Sequence, residues 1–390
     1  MKITSVSTIG LRAKTPVISD AMSVNRARQA LWVKVETDSG LYGIGEAFTY
    51  GSPLEAARQI VEQQLAPVLI GENPAAIEQL WQKMYWRNIA SGRTGLVFSC
   101  IGGVDIALWD LLGKSAGLSV ADLLGRHSET VPSYASGGFY AAGKGIDGLK
   151  REIEGYLDKG YRDVKIKIGR VPELSQCTVK YTADTCFSVT LDEDLERIAA
   201  VRSMIGKHSR LAADINAAWS EMEVIQALPA FKEAGLNFLE EPIQFENEAG
   251  LKRIREAMPE IGIMGFETAQ GSFNFTRLMK AGAMDVVEPD VGWGGGITEV
   301  RKIAAAARGF CKPVSLHSFG SCVHFAASLQ LAASLPNTEA IESEENPNPL
   351  KTGLTKTPFE HDDHMNFIVS DKPGLGLDID WDKVEEYRVF

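Results

Sequence analysis

Three acidic residues, Asp214, Glu240 and Glu267, each close a short apolar run: Arg210 to Asp214, Asn237 to Glu240 and Ile263 to Glu267. They stand 26 and 27 residues apart, about the length of one strand, loop, helix and loop. If successive parallel strands lie side by side, this beat carries three carboxylates to the carboxyl ends of neighbouring strands, where barrels build their sites. Three carboxylates at one point repel one another, and in a folded protein they usually share a cation. Any one alone reads best as a strand cap or an arginine's partner. Three in register predict a magnesium ion.

The run Asp163 to Ile168 adds two lysines. Strand alternation puts Lys165 and Lys167 on one face and turns Val164, Ile166 and Ile168 toward the helices. Two lysines aimed into a barrel mouth are costly without an anion to meet. The same parity pairs Asp214 with Asn216 and turns Glu241 away from the face of Glu240. Glu288 shares parity with Asp290 and needs a partner that the sequence does not name. The turn Gly292 to Ile297 reads as a tight strand-to-helix loop rather than an anion cradle.

The elements that must position these groups can be read in order. Lys2 to Leu11, Ala30 to Thr37 and Leu41 to Glu46 predict a three-stranded antiparallel sheet. The polar segment from Ala13 to Arg28 and the segment Ala47 to Pro53 are expected as lids. Leu54 to Ile70, Ala75 to Trp86 and Val97 to Lys114 carry helical spacing. From Val131 the pattern becomes alternating. Eight candidate strands begin at Val131 to Ala135 and Asp163 to Ile168, continue through the three carboxylate runs, and finish at Asp285 to Asp290, Lys312 to His317 and Glu339 to Glu342. One interval is long, and much of its excess falls in Arg170 to Thr190, an expected insertion whose Cys, Tyr and Phe content suits a packed lid or subunit contact.

Composition sets bounds. In 390 residues, 45% hydrophobic and 23% charged content is ordinary for a globular protein. A net charge of −11 argues against nucleic-acid and anionic-membrane partners. The five cysteines, Cys100, Cys177, Cys186, Cys311 and Cys322, include no C-x-x-C pair and read as reduced thiols of a cytoplasmic protein. The first residues lack a signal-peptide pattern, and no stretch reads as a membrane-spanning run.

Taken together, these residues resemble the mandelate racemase subgroup of the enolase superfamily. The likeness rests on Val164-Lys-Ile-Lys-Ile-Gly169 as its K-x-K strand, Asp214-Ile-Asn216, Glu240-Glu-Pro242 and Gly265-Phe-Glu267 as its metal-ligand motifs, and Glu288-Pro-Asp290 followed by Gly294-Gly-Gly-Ile-Thr298 as its sixth-strand region. His317, Ile341-Glu342 with Asn348-Pro-Leu350, and Gly374-Leu-Gly376 extend the likeness to the end of the chain. The resemblance implies a modified TIM (β/α) barrel over about residues 126–355. It also implies an N-terminal α+β capping domain over 1–125, to which residues 356–390 return, and a homo-oligomer.

The chemistry expected from the resemblance, known for a lysine or histidine base with magnesium, is removal of the proton α to a carboxylate to give an enediolate. Asp214, Glu240 and Glu267 would hold one Mg2+ per subunit. Lys167 is expected as a base, its pKa lowered by Lys165 and the cation, while Lys165 holds the substrate carboxylate. His317 is the acid or base on the opposite face, oriented by Asp290. Glu342 would share a proton if its pKa is raised, and Asn216 would contact substrate. Both roles have structural rivals. His127, His208, His324, His361 and His364 read as structural. The expected outcome is dehydration of a sugar acid to a 2-keto-3-deoxy acid, by a lyase. Racemisation or epimerisation and lactone cycloisomerisation are the alternatives from the same intermediate. A Schiff-base aldolase using Lys167 would not need three metal-ligating acids, and a silent metal-binding protein would not need Lys167, Asp290 and His317.

Overall fold

The alternating runs become strands and the 3.6-period runs become helices in the computed structural model, which describes residues 1–176 and 187–390. An antiparallel sheet comes first, β1 (Ile3–Ser19), β2 (Val24–Thr37) and β3 (Tyr42–Ala47), in that order. Helices α1 (Leu54–Gln59), α2 (Ile77–Arg87), α3 (Leu96–Ala116) and α4 (Val120–Leu124) follow, with α1 and α3 packed on the sheet. The alternating part then opens with β4 (Thr130–Val131), β5 (Ser133–Gly137), α5 (Ile146–Asp158), β6 (Val164–Lys167), α6 (Leu191–Ile205) and β7 (Leu211–Asp214). It continues through α7 (Glu221–Glu233), β8 (Phe238–Glu240), α8 (Glu248–Ala257), β9 (Gly262–Gly265), α9 (Gly271–Ala281) and β10 (Val286–Val287). It ends with α10 (Gly296–Gly309), β11 (Val314–Leu316), α11 (Cys322–Ala332), β12 (Thr338–Glu344), α12 (Pro349–Thr352), β13 (Phe367–Ile368) and α13 (Trp381–Tyr387). Strands β5 to β12 close into a parallel barrel in chain order, β12 pairing with β5.

Two expectations about local structure are corrected. The Val131 to Ala135 run does not form one strand: β4 leaves the barrel to pair antiparallel with β13, and β5 begins after Pro132, whose nitrogen has no hydrogen to give a ladder. The polar segment from Ala13 to Arg28 is not a free loop. It continues the β1–β2 ladder to the pair Ser19↔Val24, with an irregularity between Lys14 and Ile18. Ladder bonds need only the backbone, so polar side chains do not end them. The tip is a tight turn in which the Asp20 carboxylate accepts from the Met22 and Ser23 amides at 2.9 and 2.7 Å. Ser19 and Tyr140 exchange backbone bonds of 2.8 and 2.9 Å that clip the tip to the barrel mouth. The start and end of the expected insertion also meet, the Val189 amide donating to Arg170 O at 3.1 Å, while its Cys177 and Cys186 lie outside the described residues.

Contrary to the expectation that no stretch reads as a membrane-spanning run, helix α3 is long and apolar enough to cross a membrane by length and composition. It is nevertheless a core helix, 78% buried over its most apolar window. Its residues pack on β3 so closely that a Cβ at Gly45 would lie 2.0 Å from Gly103 O. The other side of α3 meets the glycine run before α10, where Gly296 has φ +91° and a Cβ would stand 2.3 Å from Asp105 Oδ2. That run is a tight loop, and its glycines let the cap helix approach the barrel. The chain's end returns to the same region: the Val389 amide donates to Gly10 O at 2.8 Å, and Trp381 stands edge-on to Trp32. Gly296→Ala should therefore destabilise the protein by about 2–3 kcal/mol in chemical denaturation, as expected when a left-handed position and a close contact are lost together. A change below about 0.5 kcal/mol would show that the loop relaxes freely.

Candidate active site

Parallel register assembles the site. In the barrel, Lys167 pairs across from Asp214 and Asp214 from Glu240, so the three side chains leave adjacent strand ends together. Glu267 lies beyond β9, and the chain turns it back through Gly265 at φ +114° and Phe266 at φ +72°. A left-handed aromatic residue is uncommon, and such strain gathers where surrounding structure imposes a geometry. The carboxylate oxygens of Asp214, Glu240 and Glu267 lie within 4.8 Å of one another, and all three residues are buried. Burial pushes the carboxyls of Glu240 and Glu267 well above the usual range, and their acidic neighbours add to the rise. Glu267 Oε2 is buried with no hydrogen-bond partner among the described residues. An all-oxygen donor set with an orphaned carboxylate oxygen fits a hard divalent cation such as magnesium.

The two lysines take different places. Lys167 Nζ is bonded to Asp214 Oδ2 and lines the pocket above the acids. Lys165 is fully buried beneath it, with Nζ 2.7 Å from Glu240 and 3.1 Å from Glu342. Lys165 thus faces carboxylates of the protein, not the pocket, contrary to its expected hold on a substrate. The expected low pKa of Lys167 is also reversed in this geometry. Burial favours the neutral amine and Lys165 adds to that, but the Asp214, Glu240 and Glu342 carboxylates together outweigh both and hold the ammonium above its ordinary value. A drop requires Asp214 to spend its charge on a cation instead.

Across the barrel, His317 Nδ1 lies 2.6 Å from Asp290 Oδ2. Burial draws the His317 pKa down, yet the Glu342 carboxylate and the Asp290 bond outweigh it and raise it above the ordinary value. Asp290 itself is held low despite burial, because it serves two histidines: its Oδ1 lies 2.9 Å from His324 Nε2. His324, read from sequence as structural, is a buttress behind the pair. No local pattern marks it, since its place depends on the first turn of α11 folding back toward β10. The cap supports that turn: buried Glu46 of β3 accepts from the Ser321 and His324 amides at 3.0 and 3.2 Å, filling helix-start donors that the sequence reading missed.

Two acidic residues depart from expectation, and a third has the partner it was expected to need. Glu342 is held low, not high: burial favours its neutral form, but Lys165, His317 and Lys167 overcome it. Its Oε2 accepts from the Ser318 amide at 3.0 Å and stands 3.6 Å from His317 Nε2. Glu241 does not turn away. Its φ of +39° breaks the alternation after β8 and puts its buried carboxyl in the pocket, accepting from Thr268 Oγ1 at 2.6 Å, with a pKa pushed by burial and by Asp214 to about 7. Glu288 has its missing partner in Tyr134 of β5, whose hydroxyl donates to Oε1 at 2.5 Å.

The pocket over these groups holds about 50 Å³. Lys167, Asn216, Glu267 and His317 reach it from the barrel, and Asp20, Met22, Phe48 and Tyr50 from the cap. Asn216, at φ +49°, donates its amide and Nδ2 to Asp214 at 2.7 and 2.9 Å, which leaves Oδ1 buried without a hydrogen-bond partner among the described residues. Tyr50 donates to Asp20 at 2.8 Å, so the two cap segments are joined at the mouth.

Comparison with known proteins agrees with this fold. Residues 3–125 match the mandelate racemase / muconate lactonizing enzyme N-terminal domain, and residues 148–383 match the enolase C-terminal domain-like family. Among characterised relatives, arabinonate dehydratase of Saccharolobus solfataricus is 33% identical over 91% of this chain and 89% of its own. D-galactarolactone cycloisomerase of Agrobacterium fabrum is 33% identical over 100% and 99%. The crystal structure of a racemase from Streptomyces coelicolor with bound magnesium superposes with a TM-score of 0.86 at 27% identity, covering 99% of this chain and 100% of that one. With both of its domains matched and the barrel closed under its cap, the chain belongs to the mandelate racemase / muconate lactonizing enzyme family of the enolase superfamily.

Proposed function

We propose that the protein removes the proton α to the carboxylate of a sugar acid and then expels a β-hydroxyl as water, giving a 2-keto-3-deoxy sugar acid. The observation that carries this reading is that one small pocket receives both Lys167 and His317 beside Glu267 of the acidic triad. These bases come from β6 and β11, three places apart one way round the barrel and five the other. A substrate between them meets a proton acceptor on one face and a donor on the other.

Asp214, Glu240 and Glu267 would hold magnesium, which supplies a Lewis acid for the charge that gathers on the substrate carboxylate as its α-proton leaves. Lys167 Nζ takes that proton in its neutral form, which is favoured when Asp214 no longer pairs with it. His317 gives its Nε2 proton to the departing hydroxyl, so that water leaves. Asp290 and Glu342 keep the imidazole protonated until then. The remaining enol tautomerises to the keto acid. Asn216 Oδ1 offers an acceptor for a substrate hydroxyl. Lactone cycloisomerisation is a second reading, supported by the cycloisomerase relative that matches the full chain. It uses the same proton abstraction but expels a ring oxygen.

The deciding experiment incubates the enzyme with magnesium and a library of sugar acids and their lactones in deuterium oxide, following keto acid and α-deuterium together. Keto acid that disappears with chelator supports dehydration. Deuterium uptake without keto acid would sink it for that compound, in favour of epimerisation, whereas keto acid formed with ring opening from a lactone and not from any open sugar acid would favour cycloisomerisation. Lys167→Ala and His317→Ala should each lower kcat by about 10²- to 10⁴-fold, the usual worth of a positioned acid or base. Equal rates in either variant would remove that residue from the chemistry.

The pH dependence has a definite sign. A donor with a raised pKa stays charged to higher pH, so activity that needs protonated His317 holds below that pKa and falls above it. Asp290→Asn removes one of the charges that raise it, and the alkaline limb of the kcat profile should move to lower pH by about one unit. An unmoved limb would mean that another group sets it.

A further inference from the structure

Beneath the triad, one cation is shared among three buried carboxylates. Lys165 Nζ is 2.7 Å from Glu240, 3.1 Å from Glu342 and 3.7 Å from Glu288, and all four residues are at most 1% exposed. The hydrogen bonds are unevenly divided. Glu240 engages the ammonium closely, whereas Glu288 spends Oε1 on the Tyr134 hydroxyl and keeps Oε2 buried without a hydrogen-bond partner among the described residues. A buried carboxylate oxygen left unpaired is costly, and such an atom calls for a state in which it is used.

Glu240 has two competing duties. It is one of the three acids whose oxygens meet at the cation site, and it is the acceptor to which Lys165 is drawn. An ammonium and a divalent cation crowding one carboxylate repel each other, so binding of the divalent ion favours movement of the ammonium away. The neighbouring acceptor with room is Glu288. Tyr134 fixes that carboxylate from the β5 side, and the aromatic ring also faces the ammonium, with Nζ 5.5 Å from its centroid.

We propose that Glu288 is a positioning residue for the metal centre: it receives the Lys165 ammonium when Glu240 turns to magnesium, acting through Lys165 without touching metal or substrate. This role rests on the reading of the triad as a magnesium site, and it assigns a purpose to an acid that the proton-transfer steps do not use. Without Glu288, Lys165 has among the described residues only Glu240 and Glu342 as carboxylate partners, and it competes with the ion for Glu240.

Titration calorimetry with magnesium chloride tests this without turnover. Glu288→Gln should weaken magnesium binding about tenfold or more, in the range typical of residues that hold a metal's ligands in place. In a Lys165→Met background the same change should cost less than about twofold, because the ammonium through which it acts is gone. An undiminished loss in that background would overturn the role, as would unchanged affinity in the single variant. A crystal structure of the wild-type protein with magnesium provides a reading independent of variant folding. Lys165 Nζ should lie within hydrogen-bond distance of Glu288, and Nζ retained on Glu240 beside the bound ion would overturn the role. If wild-type protein binds no magnesium at all, the metal reading itself falls, an outcome distinct from those that remove Glu288 alone.

Discussion

Mutual repulsion among buried carboxylates is the constraint that shapes this molecule. Asp214, Glu240 and Glu267 are brought within 4.8 Å of one another, and Glu241, Glu288 and Glu342 are buried around them. Such a cluster disfavours its own ionisation. The fold answers with two lysines on one strand, one bonded to Asp214 and the other set between Glu240 and Glu342. It also answers with backbone strain, since Asn216, Ala217, Glu241 and Phe266 all have positive φ in the turns after three successive barrel strands. Strain and crowded charge lie at the same edge of the barrel, where a divalent cation would relieve the larger of the two.

The cap takes part in this arrangement as well as covering it. Its hairpin tip is stitched to the barrel at Tyr140, and its second segment is tied to the first by Tyr50. Glu46 reaches from β3 to the start of α11, the turn that presents His324 to Asp290 and, through Asp290, steadies His317. One acid–base group is therefore held from both domains, whereas Lys167 is held by groups of the barrel: Asp214 of β7, the Phe139 ring and Arg197, which donates to its carbonyl at 3.1 Å.

Much of this was legible in the sequence because it depends on period and spacing. The intervals between Asp214, Glu240 and Glu267 indicated adjacent strands, and the parity of Lys165 and Lys167 indicated a shared face. What escaped depends on distances between residues far apart in the chain. The partner of Glu288 is Tyr134, 154 residues away, and the ionisation of Glu342 follows from Lys165, neither of which leaves a local signature. Glu241 escaped for another reason: alternation assumes an extended backbone, and one left-handed residue at a strand end reverses the direction that parity assigns. The ladder from Ala13 to Arg28 was hidden by its polar side chains, although the hydrogen bonds that make it are those of the main chain.

The reach of Glu46 across the domain boundary bears on how such proteins can diversify. Two family matches, over residues 3–125 and 148–383, divide the chain between cap and barrel, which invites the idea of interchangeable modules. A grafted cap without an acid at this place would leave the first amides of α11 bare in a dry interface, and the histidine they carry would lose its footing. A cap without the close glycines of β3 would not seat its own long helix. New specificities in this architecture are thus more readily reached by altering the hairpin tip and the Tyr50 segment in place than by shuffling whole domains.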